Sequence, residues 1–330
     1  MGRTEPTAGQ LRRLADEVDE AGLDLGPHRD LLLEELACAR HPVVHERRVM
    51  SYGAFVGASS DPATWDAATT LTFDRRPIGP KGVEVTRRFA DGVSTWVSRG
   101  AAGPDEFVVL DRPAASERDL VVIAEVLGAW VVQRHPNGFV RVVGAHGVHR
   151  WDGYTWHTEP RVSTWMDAFG GCADPRDRDL VETLLEFAVH DLGARNIGAT
   201  LVFGADPGRV GVETRLPSPP PLDITNPADL APLRHVLSQL DGAVVFDGDG
   251  RLVDLGARLV PSPEAEAGVD GFRGMRHTSA LRYSVDDPTA TVIVVSEDGP
   301  VTVLRAGRRV GASLTERPAT SAPVAPEPVG

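Results

Sequence analysis

Asp241-Gly242-Ala243-Val244-Val245-Phe246, then Asp247-Gly248-Asp249-Gly250, then Arg251-Leu252-Val253-Asp254-Leu255 is the stretch on which the reading of this chain turns. Two short apolar runs flank four turn-forming residues, which predicts two strands around a glycine turn. A second pair, Thr291-Val292-Ile293-Val294-Val295 and Val301-Thr302-Val303-Leu304, surrounds Glu297-Asp298-Gly299-Pro300. Upstream, Leu180, Leu184, Leu185 and Ala188 recur at helical spacing, Ile197 to Phe203 reads as a buried strand, and Ala231 to Gln239 as a helix. Helices that alternate with strands make this half of the chain α/β.

Working outward, Leu11, Leu14 and Val18, then Leu31, Leu32, Leu33, Leu36 and Ala37 after the Gly26-Pro27 break, predict two opening helices. From about Val49 to Trp156 the pattern shifts to short runs such as Thr70 to Phe73 and Glu106 to Leu110, bounded by Gly and Pro, with a helix expected over Ser116 to Trp130. The turn-rich Gly170-Gly171-Cys172-Ala173-Asp174-Pro175 is a natural boundary, and Pro217 to Pro221 a proline-rich loop. The expected organisation is an α+β domain over 1–170, smaller than its neighbour, an α/β domain over 171–311, and a disordered Pro/Ala/Ser/Thr-rich tail over 312–330.

A chain of 330 residues has room for two ordinary cores. Its net charge of -13 argues against coating nucleic acid through an overall field. Only Cys38 and Cys172 occur, without CxxC spacing, so neither a disulfide framework nor a zinc site is expected and a reducing cytoplasm is the natural setting. The N-terminus has no uninterrupted apolar core of a signal peptide, and no run approaches the ~18 apolar residues of a spanning helix, so no membrane partner is expected.

The chemistry-bearing residues sit where apolar runs begin or end. Asp241 opens a strand, and Gly242 lets a ligand or another backbone come close. A carboxylate there can hold a divalent metal or orient a sugar hydroxyl, although Asp-Gly alone is an ordinary turn. Gly274-Met275-Arg276-His277-Thr278 adds a guanidinium suited to bidentate phosphate contact and an imidazole able to donate to phosphate oxygens. Ser296 closes a β run, at the edge where open α/β sheets place ligands. Together these residues suit a metal-bound triphosphate.

In order and spacing the pieces resemble the diadenylate cyclase family, whose domain is named from the DisA-type DNA-integrity-scanning proteins. That family carries a DGA tripeptide, a G-x-R-H-R-x-A segment, and a strand ending in Val-Ser-Glu or Val-Ser-Gln. Asp241-Gly242-Ala243, Gly274 to Ala280 and Ile293-Val294-Val295-Ser296-Glu297 stand in those places, with Asn196 to Val202 like the family's first buried strand and Leu259-Val260-Pro261 like the segment between motifs. The resemblance covers roughly residues 178 to 308 and implies a mixed-sheet α/β/α domain.

It further implies that two ATP molecules condense into cyclic di-AMP with release of two pyrophosphates, across two self-associated domains facing each other. Mg2+ or Mn2+ is the implied cofactor. By the same resemblance Asp241 binds the metal and helps activate the ribose 3′-hydroxyl, and Gly242 and Ala243 leave room for the ribose. Arg276, His277 and Ser296 hold phosphates, Gly274 and Thr278 join the ATP site, and Glu297 is a second metal candidate. Two positions depart from the family: Thr278 stands for an arginine and Met275 for a threonine. Arg273 and Arg282 are the nearby candidates to supply the missing charge.

The competing reading is a catalytically weak or inactive nucleotide-binding sensor, which Thr278 favours and Asp241 opposes. DNA scanning is discounted on the acidic balance and the Pro/Ala tail that follows the cyclase-like part. The first domain reads from its position as a sensory module for an unknown ligand. Trp65, Trp96, Trp130, Trp151, Trp156 and Trp165 are expected to serve packing, and His146, His149 and His157 to lie in a hairpin whose faces do not converge on a metal.

Overall fold

A computed structural model describes residues 6–42, 44–45, 48–66, 71–79, 82–100, 103–168, 175–204, 212–213, 218–271, 274–297 and 300–313. The expected tail, the boundary segment with Cys172, and Arg273 lie wholly or mostly outside them.

The chain opens with α1 (Ala8–Glu20) and α2 (Arg29–Arg40). Thr7 caps α1, its hydroxyl accepting from the Gln10 amide while the Gln10 side chain accepts from the Thr7 amide. A hairpin, β1 (Val44–His45) and β2 (Arg48–Val49), leads into a sheet formed by β3 (Tyr52–Val56), β4 (Phe73–Pro77), β5 (Thr95–Arg99), β6 (Glu106–Leu110), β7 (Trp130–Arg134), β8 (Val140–Gly144), β9 (Gly147–Trp151) and β10 (Trp156–Pro160). Its order is β10-β9-β8-β7-β3-β5-β6-β4, with β3 and β5 parallel and the other pairs antiparallel. Short helices α3 (Pro62–Asp66) and α4 (Val83–Thr86) fill the connections.

Alternation along the strands builds both cores of this half. Ala54, Val56, Val97 and Val132 meet Leu14, Val18, Leu32 and Leu36 of the opening helices. Phe55, Trp96 and Val131 meet Leu120, Ile123 and Leu127 on α5 (Glu117–Leu127). That helix stops three residues before the expected end: Gly128 adopts a left-handed φ of 57° as its C-cap, and Trp130 opens β7 instead. The tryptophans do pack: Trp96 stacks on Phe55 at 4.7 Å between ring centres, and Trp151 tilts against Trp156 at 5.4 Å.

The second sheet comprises β11 (Ala199–Phe203), β12 (Val212–Glu213), β13 (Ala243–Phe246), β14 (Leu252–Leu259), β15 (Thr291–Val295), β16 (Val301–Arg305) and β17 (Arg308–Ala312), in the order β12-β14-β13-β11-β15-β16-β17. Only β11 and β13 pair in parallel. Between α6 (Val162–Ala168) and β11 run α7 (Pro175–Glu186), a π-helical segment (Phe187–Leu192) and a 3-10 turn (Gly193–Arg195); α8 (Pro227–Leu237), α9 (Pro263–Gly268) and α10 (Met275–Asp286) follow.

Leu201, Phe203, Val244, Phe246, Ile293 and Val295 pack on α7 and α8, while Val202, Val245, Val292 and Val294 pack towards Ala280 and Tyr283 of α10. Covered on both faces, these strands are apolar but for the buried Thr200 and Thr291, which is why they read as continuous runs. The mixed-sheet α/β/α reading holds. The relative size does not: the first sheet has eight strands against seven, because β4 and β7 to β10 extend both its edges.

The two halves meet through ions as well as apolar surface. Glu117 at the start of α5 accepts from Arg150 at 2.6 and 2.8 Å and lies 2.9 Å from His190 Nδ1. Arg118 reaches Glu186 at 3.1 Å and Asp191 at 3.2 Å, and Arg150 donates to the Val189 carbonyl at 3.0 Å. No helix among the described residues is long and apolar enough to cross a membrane.

Candidate functional site

Three strand ends meet at one edge of the second sheet. Thr200 pairs with Ala243 and Ala199 with Val295, so the residues just before β11 and β13 and just after β15 lie side by side. Gly198 directly precedes β11, Asp241 lies two residues before β13, and Glu297 lies two residues after β15. The edge is the N-terminal mouth of the parallel pair; β15 contributes its C-terminal end because it runs antiparallel to β11.

Into this edge α10 sends Arg276 from its first turn. The guanidinium Nη2 lies 3.4 Å from Asp241 Oδ1 and 3.6 Å from Glu297 Oε1. Gly198 makes the approach possible, since a Cβ there would stand 2.4 Å from Arg276 Nη1 and 2.7 Å from the Glu297 Cγ. The side chains of Asp241 and Glu297 are 92% and 79% exposed, so both carboxylates face solvent and hold Arg276 only loosely.

The conformation of Gly242 answers a different need from the one its place in the motif implied. Its φ is 111°, and a Cβ would stand 2.7 Å from the Gly256 carbonyl carbon. Register jumps from Ala243↔Ala257 to Val244↔Leu255, leaving Gly256 as a bulge with φ 69°. Gly242 thus admits the backbone of β14, one of the two expected guests, and it also lines the cavity that would hold the other.

These residues line a cavity of about 970 Å3. Asp241, Gly242, Ala243, Gly274, Arg276, Thr278 and Glu297 all reach its wall, as does Arg282, whose Nε and Nη2 donate to the Val269 carbonyl. His277 and Ser296 do not. Successive helix positions lie about 100° apart, so Met275, Thr278, Ser279 and Arg282 share the cavity face of α10 while His277 is turned inward and buried. Ser296 caps the turn after β15, its amide donating to the Pro300 carbonyl at 2.9 Å.

Sequence reading missed Gly198 as a packing partner of Arg276, and Arg258 and Glu266 in the wall. Arg258 stands between Ala257 and Leu259 on β14, a charged residue inside an apolar strand, and that was the available signal. With it the wall holds, among the described residues, three guanidinium groups, those of Arg258, Arg276 and Arg282.

The start of α10, through Gly274, Met275 and Arg276, lines the same space. Gly274, its N-cap with φ 122°, has no side chain to cap the first amides, which suits an anion. Among the described residues no group of three or more His, Cys, Asp or Glu forms a metal cluster. Asp241 and Glu297 as a donor pair suit a hard cation that arrives on phosphate oxygens, because Mg2+ takes one or two carboxylates and completes its shell from substrate and water. His149 is buried against Thr158, its Nδ1 3.0 Å from the hydroxyl, and His157 pairs with Asp152 at 3.0 Å.

Comparison with known proteins gives two family matches. Residues 12–159 match the family described as probable sensor domain DACNK, and residues 186–309 match DisA bacterial checkpoint controller nucleotide-binding. No curated protein matches. Among solved structures, a hypothetical membrane spanning protein from Bacillus cereus is 18% identical, over 45% of this chain and 85% of that one, at a TM-score of 0.30, too low to bear on fold or function.

Proposed function

We propose, for a chain that joins a DACNK-type probable sensor domain to a DisA-type nucleotide-binding domain, that the second domain condenses two ATP molecules into cyclic di-AMP across a face-to-face pair of protomers. The observation that carries this is the meeting of Asp241, Arg276, Thr278 and Glu297 on one cavity wall at the N-terminus of α10. Its volume of about 970 Å3 suits one nucleotide. One nucleotide per protomer cannot close a ring, so the reaction calls for a second copy.

In each protomer the ribose 3′-oxygen attacks the α-phosphorus of the partner's ATP, the bond to the pyrophosphate oxygen breaks, and pyrophosphate leaves. Two such displacements close the ring. Asp241 orients the 3′-hydroxyl and takes up its proton directly or through water. Arg276, released from Asp241 and Glu297 when phosphate arrives, neutralises charge on the triphosphate with the first amides of α10. Thr278 donates a hydrogen bond where relatives carry a guanidinium, and Arg258 and Arg282 provide the charge. His277, buried, sets the phase of α10 instead of touching phosphate, and Ser296 shapes the turn that presents Glu297. A Mg2+ or Mn2+ ion held by Asp241, with Glu297 beside it, would supply further charge neutralisation on the phosphates.

Incubating the purified chain with ATP and Mg2+ or Mn2+, with products resolved by chromatography and mass, tests the reading. Cyclic di-AMP is expected, and its absence from Asp241→Asn. ATP binding without product would favour the second reading, a nucleotide sensor, which the loss of the guanidinium at Thr278 supports.

A further inference from the structure

A second cavity, of about 230 Å3, lies between the two halves and shares no lining residue with the first. Arg141, Arg150 and Glu159 from the first sheet form one side, and Ala194, Asn196 and Pro300 from the second half the other. Two buried ionic groups there lack proper partners. Arg141 has a side chain only 5% exposed, and its contacts are all long: 3.4 Å to the Ala194 carbonyl and 3.5 Å to both Gln133 and Glu117. A guanidinium has five donors, and these distances satisfy none of them well.

Glu159 is 1% exposed; its Oε1 lies 3.4 Å from Arg150, and its Oε2 has no hydrogen-bond partner among the described residues. Burial pushes the Glu159 carboxyl up to about 7, against smaller opposing effects of Arg150 and the Ser313 hydroxyl. Burial likewise lowers the Arg141 pKa, aided by Arg150 and Arg195 and opposed by Glu117. Arg141 and Glu159 form no ion pair with each other among the described residues, although both line the same cavity. A buried carboxylate oxygen without a partner beside a buried guanidinium met only by long contacts costs stability, and such groups concentrate at binding sites.

We propose that this cavity is an effector site for a small zwitterion of amino-acid type, its carboxylate held by Arg141 and its ammonium by Glu159. The space of about 230 Å3, against about 970 Å3 beside Arg276, suits a compact metabolite. Binding would be felt at Arg276. Asn196, in a left-handed turn with φ 57°, lies two residues before Gly198; Pro300 accepts from the Ser296 amide beside Glu297. The segments that pack around Arg276 therefore both start at the walls of the effector cavity. The effect on turnover rests on the cyclase reading; the binding does not.

Isothermal titration of the full chain at pH 8 with each of the twenty amino acids tests the site. At least one is expected to bind, to weaken tenfold or more when its ammonium is acetylated or its carboxylate amidated, and to weaken as much in Arg141→Lys and Glu159→Gln. Circular dichroism checks that each variant folds, and the isosteric Glu159→Gln carries the test alone if Arg141→Lys does not. No binding to the wild type, or equal binding of the N-acetyl form and by Glu159→Gln, overturns the proposal. Where the chain turns over ATP, the bound amino acid should change the rate of cyclic product at least fivefold, and not in Glu159→Gln. An unchanged rate overturns the coupling. Absence of any turnover counts against the cyclase reading, while the titration still decides the site.

Discussion

Around Asp241, Arg276 and Glu297, charges face water and are spaced at 3.4 to 3.6 Å, whereas around Glu117, Arg150 and His190 they are buried and joined at 2.6 to 2.9 Å. Burial alone would raise the Glu117 carboxyl, but Arg150, His190 and Arg141 overcome it and hold it well below the usual carboxylate range. The contrast separates two uses of one chemistry. Exposed and loosely tied charges can exchange partners with a phosphate at little cost; buried and tightly tied ones fix the halves against each other.

The comparison breaks most visibly at its buried end. Glu117→Ala leaves Arg150 buried without its main partner and should cost about 3–5 kcal/mol, read from urea unfolding of the whole chain. If the cost is instead like that of a surface substitution, the hub holds nothing together. At the open end, Arg276→Ala should lower cyclic product formation by about 10²–10³-fold and leave the melting temperature within about 1 °C. Gly198→Ala sharpens the point without removing a charge: its methyl displaces Arg276, and a loss of about tenfold in rate is expected with folding intact.

The last effect is a pH dependence. Glu159, raised to about 7, binds its proton more tightly folded than unfolded, so its contribution to stability falls as pH rises from about 4.5 to 7. His149, lowered to about 4 by burial and then by His146, contributes stability present above its unfolded value near 6.5 and lost as pH falls to about 4. The two slopes oppose each other between about 4.5 and 6.5. Glu159→Gln should unmask the His149 slope, so that stability measured by urea at successive pH values rises over that range; an unchanged profile would show Glu159 to be unperturbed.

Much of the second sheet could be read from the chain because its strands are buried on both faces, so that Ala243 to Phe246 and Val292 to Val295 carry no polar interruption. Asp241, Arg276 and Glu297 were legible because they sit at the ends of those runs. The resemblance puts His277 on phosphate beside Arg276, whereas successive positions on α10 face about 100° apart and His277 is buried. Arg258 and the interdomain cavity depend on which strand lies beside which, and neighbouring residues in sequence carry little record of that. The pairing of Gly242 with Gly256 belongs to the same class, since nothing local names the partner of a bulge.

The π-helical segment over Phe187–Leu192 is buried at every residue. His190 and Asp191 are consecutive, yet both bind the start of α5, at Glu117 and Arg118. In an α-helix they would diverge by about 100°; the wider turn narrows that angle, and the two reach the adjacent residues Glu117 and Arg118. The segment should accordingly accept changes of side chain far better than changes of length: deleting one residue would restore ordinary winding, rotate the attachment points apart, and leave the first half gripping the wrong faces of the chain that leads to Gly198.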